Sequence, residues 1–102
     1  MDIASLEKKI DITFNNKDLL YEALTHRSYL NENPSWQYSQ NERLEYLGDA
    51  VLELIVSEFL FAQYPDYPEG QLTAIRAALV NYQFLAKIAK QIYLDDFIFL
   101  SK

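Results

Sequence analysis

The strongest constraint on the fold is one long helical pattern that runs from about Asn41 to Gln63. At about 100° per residue, its apolar side chains share an arc of roughly 160°. They are Leu44, Leu47, Val51, Leu54, Ile55 and Phe59. The acidic side chains lie on the opposite side: Glu42, Glu45, Asp49 and Glu53. The two faces therefore have different roles, one for packing and one for solvent or a ligand.

The rest of the chain also reads as helix, with no β alternation and no repeat. Helical spacing predicts elements over Ser5–Ile10, Lys17 to about Tyr29, and about Gly70 to about Tyr93. The polar segment Asn31–Gln40 contains Pro34 and is predicted to be a loop. Asp95 and Asp96 break the last helix. We therefore expect an all-α helical bundle in one domain.

Two features of the long helices predict close packing. Gly48 lies inside the apolar arc, although glycine costs about 1 kcal/mol in a helix interior. A close backbone neighbour explains it, either another helix of this chain or the same helix of a second subunit. The Gly70–Tyr93 pattern is apolar over most of its circumference, which is typical of a helix in the middle of a bundle.

Composition excludes some classes of site and partner. The 102 residues contain no cysteine, so disulfides and thiolate metal sites are impossible. A net charge of −6 argues against an unaided grip on nucleic acid, which usually needs a basic patch. The start of the chain lacks signal-peptide features, and no apolar stretch is long enough to span a bilayer. We expect a cytoplasmic protein with no membrane partner.

Three carboxylates crowd one strip of the long helix. Glu42, Glu45 and Asp49 stand at i, i+3 and i+7, within roughly 60° of one another on a helix. Their repulsion costs stability unless water screens it or a cation neutralises it. A solvated surface is the commoner case. Asp49 directly follows Gly48, however, and two weak helix formers inside a strong helix fit a functional site better.

The decapeptide NERLEYLGDA, Asn41 to Ala50, resembles the signature motif of the ribonuclease III family of double-stranded RNA endonucleases. The segments LTHRSYLNE (24–32) and EGQLTAIRAALVN (69–81) resemble the family's flanking segments in the same order. The resemblance implies an all-α endonuclease domain that works as a homodimer on double-stranded RNA, in rRNA and mRNA precursor processing. It also implies Mg²⁺ as the cofactor, with Mn²⁺ as a substitute.

Residue roles follow from the same resemblance. Glu45 and Asp49 match residues that bind the metal or its waters. Glu42 and Glu69 match acids beside the scissile phosphate, so these four are the expected catalytic residues. Read by itself, Glu69 is an acid at a helix N-terminus, where the helix dipole favours it. Attack by a metal-activated water would leave a 5′-phosphate and a 3′-hydroxyl.

The chain departs from the family pattern after Glu69. The family completes its metal site with an Asp-x-x-Glu motif on a later helix, and Asp95 and Asp96 have no Glu three residues on. The family's basic double-stranded RNA-binding domain is also not expected within residues 1–102. We therefore expect residues 1–102 to be a catalytic domain truncated before its last helices, which alone binds Mg²⁺ weakly and cleaves little. Exposed apolar surface should then drive dimerisation, with domain swapping as one route.

Other side chains and other functions remain open. Arg76 follows Glu69 by two turns and could pair with an active-site acid. His26 is expected to be structural, and Arg27 to pair with an acid rather than contact phosphate. The rival functions are a non-catalytic ribonuclease III-like scaffold, binding RNA or the ribosome, and a helical interaction module with a merely solvated acidic strip.

Overall fold

The computed structural model describes residues 2–102, and every regular element in that range is helical. In chain order the α-helices are α1 (Ile3–Ile10), α2 (Lys17–Ala23), α3 (Arg27–Glu32), α4 (Glu42–Gln63), α5 (Glu69–Leu79) and α6 (Tyr82–Gln91). A 3₁₀ helix, Leu94–Phe97, follows α6. The all-α prediction is confirmed. None of the helices in residues 2–102 combines the length and the apolar content that crossing a membrane requires.

The buried core lies where α1 and α2 meet the last residues of the chain. Its fully packed members are Leu6, Leu20, Leu24 and Phe97, with Ile3, Ile10, Phe14, Leu94, Ile98 and Phe99 against them. Helix α1 begins two residues before the predicted Ser5, because Asp2 caps it. The Asp2 Oδ1 atom accepts a hydrogen bond from the Ala4 N–H at 3.0 Å.

The predicted helix from Lys17 to Tyr29 is two helices, and its uninterrupted continuation past Ala23 is wrong. The Phe99 N–H donates to the Leu24 carbonyl at 2.8 Å, and the His26 N–H donates to the Phe99 carbonyl at 2.9 Å. These bonds to a distant segment replace the helical partners of the backbone. The chain then restarts as α3, where His26 Nδ1 accepts from the Ser28 N–H at 3.1 Å.

The polar loop before α4 packs on α2 through aromatic rings. The Tyr38 ring stacks on the Tyr21 ring at a centroid distance of 4.7 Å. The Trp36 indole lies 4.7 Å from the Phe99 ring, and its Nε1–H donates to Thr25 Oγ1 at 3.1 Å. The loop therefore rests on the same turn that separates α2 from α3.

Helix α4 confirms the long helix predicted between Asn41 and Gln63. It packs against α5 and, near its start, against α2. Leu60 is its buried member. Most of the predicted apolar arc is exposed, and Leu54 keeps 66% of its residue surface accessible. Exposure of apolar surface on this helix was expected, and the structure confirms it.

The predicted helix from Gly70 to Tyr93 is also two helices, α5 and α6, separated at Val80 and Asn81. The Asn81 Oδ1 atom accepts from the Phe84 N–H at 2.8 Å and caps α6. Its Nδ2 group donates to the Ala78 carbonyl at 2.8 Å, which ends α5. The Asn81 side chain thus bonds the end of α5 and caps the start of α6. The prediction of one unbroken helix through this point is wrong.

The described chain is elongated. Its principal extents are 53 × 26 × 22 Å and its radius of gyration is 16.3 Å, against about 13 Å for a compact domain of this length. Neither α5 nor α6 has a buried residue within residues 2–102, so their predicted place in the middle of a bundle is wrong. Apart from the neighbouring residues of α4 itself, no described atom lies within 4 Å of a Cβ added at Gly48. A neighbouring helix of this chain therefore does not explain that glycine, and the second-subunit explanation stays a prediction.

Candidate active site

The start of α4, which carries the first two predicted acids, is fixed to the turn that follows α2. The Asn41 N–H donates to the Thr25 carbonyl at 2.9 Å, and Asn41 Nδ2 donates to the Ala23 carbonyl at 2.9 Å. The Glu42 N–H donates to Gln40 Oε1 at 2.6 Å. Because Asn41 spends its side chain on this docking, α4 has no side-chain cap of its own.

An arginine from α3 meets the first acid of α4. Arg27 Nη2 lies 2.6 Å from Glu42 Oε2. About half of the Glu42 side chain and two thirds of the Arg27 side chain remain accessible to solvent. The expectation that Arg27 pairs with an acid is confirmed. The expected structural role of His26 is confirmed too, because its ring caps α3.

Glu42 and Glu45 share one depression of about 300 Å³. Every residue that lines it is polar: His26, Arg27, Ser28, Asn31, Asn41, Glu42 and Glu45. The other described depressions each include apolar side chains. A hollow lined by polar residues that holds two carboxylates and one guanidinium is suited to a cation and a phosphate together.

The other two predicted acids lie elsewhere. Asp49, one helical turn beyond Glu45, lines a depression with Tyr46 and Glu53 on α4 and with Val80. Glu69 begins α5 and lines a groove between α4 and α5 with Ser57 and Arg76. Within residues 2–102, no three acidic or histidine side chains are placed together as a metal site. The structure thus brings Glu42 and Glu45 together and leaves Asp49 and Glu69 apart.

Arg76 lines the same groove as Glu69 and donates a hydrogen bond to a hydroxyl group. Arg76 Nη1 donates to Ser57 Oγ at 2.8 Å. The ion pairs formed in residues 2–102 are Lys17–Glu7 and Arg27–Glu42. The contact of Arg76 in this structure is therefore with α4 rather than with an acid, and its supporting role at the active site stays a prediction.

The donor chemistry suits a hard divalent cation. Mg²⁺ is commonly held by one or two carboxylates and keeps several waters. Glu45 and Asp49 are both exposed and lie one turn apart on a continuous helix. Two carboxylates at this helical spacing are the donor type that such a cation takes. A closed cage of protein ligands is not formed by the described residues.

Sequence reasoning missed the polar neighbours of the acids. Asn31 and Asn41 line the depression of Glu42 and Glu45, yet the loop between them was read only as a connection. The available signal was the segment Leu24–Glu32, which matched the family pattern, although within it only Arg27 was expected to contact an acid. Its relation to α4 depends on the bonds from Asn41 to the turn after α2, which lie between distant parts of the chain.

Comparison with known proteins identifies the family of the chain. The family model described as Ribonuclease-III-like matches residues 16–102. Ribonuclease 3 of Enterococcus faecalis is 50% identical over 97 residues, which are 95% of this chain and 42% of that protein. Ribonuclease 3 of Bacillus velezensis is 49% identical over 96 residues, 94% of this chain and 39% of that protein.

A solved structure gives the same result for the fold. The nuclease domain of ribonuclease III from Campylobacter jejuni has a TM-score of 0.87 and 46% identity, over 98% of this chain and 66% of that one. That structure is described as flexible in the region involved in dimer formation. The fold is that of a ribonuclease III nuclease domain. The chain belongs to the Ribonuclease-III-like family, and it spans about two fifths of the length of the curated relatives that it matches.

Proposed function

We propose that residues 1–102 are the acid-bearing first part of the nuclease domain of a divalent-metal-dependent endoribonuclease that cuts double-stranded RNA. The observation that carries the proposal is the polar depression in which Glu42 and Glu45 lie beside Arg27. Family membership supports the reaction class. The proposed substrates are structured precursors of ribosomal and messenger RNA, and the proposed location is the cytoplasm, where these precursors are processed.

Each acid has a proposed role. Glu45 and Asp49 hold Mg²⁺, or Mn²⁺ in its place, while Glu42 and Glu69 flank the scissile phosphate. A bound cation supplies an ionisable water and positive charge near the phosphate. The carboxylates position the cation beside the phosphate of the strand to be cut. Hydrolysis then leaves a 5′-phosphate on one product and a 3′-hydroxyl on the other.

Because the chain is negatively charged, it needs another positive group to bind RNA. With a net charge of −6, a cation must offset the repulsion between the acidic strip and the phosphates. We propose that the remaining metal ligands and the main RNA-binding surface belong to the part of the relatives that this chain does not match. Residues 1–102 alone should then cleave slowly.

A homodimer is part of the proposal. One side of α4 exposes apolar residues centred on Val51, Leu54 and Ile55. Exposed apolar surface of this kind favours association. The related Campylobacter jejuni domain has a region involved in dimer formation. Pairing through α4 would also place a backbone near Gly48, where no other described part of this chain lies within 4 Å of an added Cβ.

A thermal-shift titration tests the metal ligands of the chain. Mg²⁺ at ten times its Kd should stabilise the folded protein by about 1.4 kcal/mol, or roughly 5–10 °C in Tm. Glu45→Gln and Asp49→Asn should each abolish that shift. The matched control is Glu58→Gln, an exposed acid on the same helix, which should keep it. Equal shifts in all four proteins would contradict a site at Glu45 and Asp49.

A chimaera tests cleavage. The 97 residues of this chain that match the Enterococcus faecalis relative should replace their counterparts in that protein, so that the rest of a nuclease is present. We expect Mg²⁺-dependent cutting of double-stranded RNA with 5′-phosphate ends, and a loss of at least 100-fold in Glu45→Gln, as for other groups that stabilise transition-state charge. A chimaera that binds RNA and leaves it intact favours the scaffold function instead.

A further inference from the structure

We propose that Arg27 is a positioning residue, which holds the Glu42 carboxylate out of the metal's ligand set so that Glu45 and Asp49 bind the cation. The inference rests on the proposed nuclease function, because it assigns different work to acids that the sequence places on one strip. It concerns the one contact that the structure makes between an acid of the strip and a cationic side chain, among residues 2–102.

The backbone that presents Arg27 is among the best-fixed parts of the molecule. Thr25 is fully buried, and its Oγ1–H donates to the Tyr21 carbonyl at 2.7 Å. The His26 N–H is bonded to the Phe99 carbonyl, and the His26 ring caps the helix that Arg27 begins. The backbone of Arg27 is therefore fixed relative to the start of α4, which keeps its guanidinium within reach of Glu42.

The carboxylate on the other side of the contact is equally well placed. Glu42 is the first residue of α4, directly after Asn41, whose backbone and side chain are bonded to Thr25 and Ala23. Both partners of the 2.6 Å contact thus stand on segments that are fixed to the same turn. Reorientation of Glu42 toward Glu45 requires this contact to break.

The pair has little to do for stability. Both side chains are substantially exposed, and exposed ion pairs contribute little to folding. Its local effect on charge is larger, because it neutralises the first of the clustered carboxylates. Glu45 lies in the same depression and forms no ion pair in the described chain. Arg27 therefore makes the two acids differ: Glu42 is held in an ion pair, whereas Glu45 is not.

Removal of Arg27 should release Glu42 as an extra ligand. A freed Glu42 could bind the cation together with Glu45 across one helical turn, and an added carboxylate tightens divalent cation sites. Tighter binding would come with the wrong ligand set. Loss of the positive charge of Arg27 should therefore raise the affinity for the metal. That gain should appear only when Glu42 is present.

Mn²⁺ binding to the chain, measured by water proton relaxation, tests this dependence without any need for cleavage. Arg27→Gln should tighten Mn²⁺ binding about fivefold, in line with the effect of ligand charge count. Glu42→Gln alone should stay within about twofold of the unsubstituted chain, and the double variant should lose the gain. Arg27→Lys, which keeps the charge, should also stay within about twofold.

The matched control is Arg43→Gln, which removes the same charge from the residue after Glu42, where Arg43 forms no ion pair in residues 2–102. Any general electrostatic effect appears in that variant as well. A fivefold gain that is equal in Arg27→Gln and Arg43→Gln overturns the proposal. So does a gain that persists when Glu42→Gln is added, and so does no gain at all. Unfolding curves of each variant exclude a loss of fold as the cause.

The result separates this role from the nuclease function itself. If the chimaera cuts RNA but Arg27→Gln binds Mn²⁺ like Arg43→Gln, the nuclease function stands and the positioning role fails. If Arg27→Gln instead weakens RNA binding by the chimaera with unchanged Mn²⁺ affinity, Arg27 contacts phosphate and the proposal is overturned. A chimaera that does not cut, with the expected Mn²⁺ pattern, overturns the nuclease function and leaves the tether between Arg27 and Glu42 in place.

Discussion

Glu7 shows how one buried carboxylate holds together three separate parts of the chain. Its Oε2 atom accepts from Lys17 Nζ at 2.6 Å and from the Phe14 N–H at 2.7 Å. The hydrogen bond from Lys17, followed by that from Phe14, lowers the pKa of Glu7 below its ordinary value. The charged carboxylate is therefore the form that joins α1 to the start of α2.

We expect Glu7→Gln to lower the free energy of unfolding at pH 7, because the amide loses the charge that meets Lys17. The pKa of Glu7 is lower in the folded chain, so its contribution is fully present above the unfolded value of about 4.3. The contribution is lost as the pH falls through the folded pKa. The difference between the variant and the unsubstituted chain should therefore shrink from pH 7 to pH 3, measured by urea unfolding.

Glu53→Gln is the control for that experiment, since Glu53 is an exposed acid in the middle of α4 and forms no described ion pair. It should leave stability and its pH dependence nearly unchanged. If Glu7→Gln differs from the unsubstituted chain by the same amount at both pH values, the charge of Glu7 is not what stabilises this junction.

The joint between α5 and α6 is the simplest at the scale of elements, because one side chain forms it. Asn81 caps α6 through Oδ1 and bonds the end of α5 through Nδ2. We expect Asn81→Ala to lower the free energy of unfolding by about 1 kcal/mol, as for other N-cap residues. Chemical unfolding followed by circular dichroism measures the loss.

Gln83→Ala serves as the matched change, because Gln83 lies exposed in the first turn of the same helix. It should cost less than about 0.5 kcal/mol, as surface substitutions usually do. A cost for Asn81→Ala no greater than that of Gln83→Ala would show that packing, and not this side chain, separates α5 from α6.

The two helix boundaries that sequence reasoning missed have different physical origins. The break at Asn81 is local, and an asparagine between helical runs was a readable capping signal. The break after Ala23 depends on bonds between Leu24, His26 and Phe99. No pattern within Lys17–Tyr29 reveals a partner so far along the chain. The long helix α4 was predictable because the pattern of its own residues determines its two faces, and Pro65 follows its end.

The same distinction applies to the candidate site. Glu42, Glu45 and Asp49 were predicted together because one helix determines their spacing. The structure places Glu42 and Glu45 in one depression and Asp49 in another. Glu69 comes from another helix, so its distance from the strip depends on how α4 and α5 pack. In the described chain it lines a separate groove. Assembly of all four acids around one phosphate remains a prediction that needs more than this chain's own contacts.

At the scale of the whole molecule, the shape is set by where apolar surface finds a partner. The core gathers α1, α2 and the last residues, while α4 extends beyond it with α5 along one side. Leu54 and Ile55 are 66% and 60% exposed, and Tyr46 is 82% exposed. Each exposed apolar Å² forgoes about 25 cal/mol of burial, so this surface favours association.

We expect the chain to sediment as a dimer or larger species at micromolar concentration, with α4 in the contact. Leu54→Lys should shift it to monomer, because the contact would have to bury an unpaired charge. Gln63→Lys adds the same charge at an exposed position at the end of α4 and should leave the distribution unchanged. A clean monomer of the unsubstituted chain would refute association through this surface. Equal dissociation by both lysine variants would instead assign the effect to charge, and a Leu54→Lys protein that still associates would place the contact elsewhere.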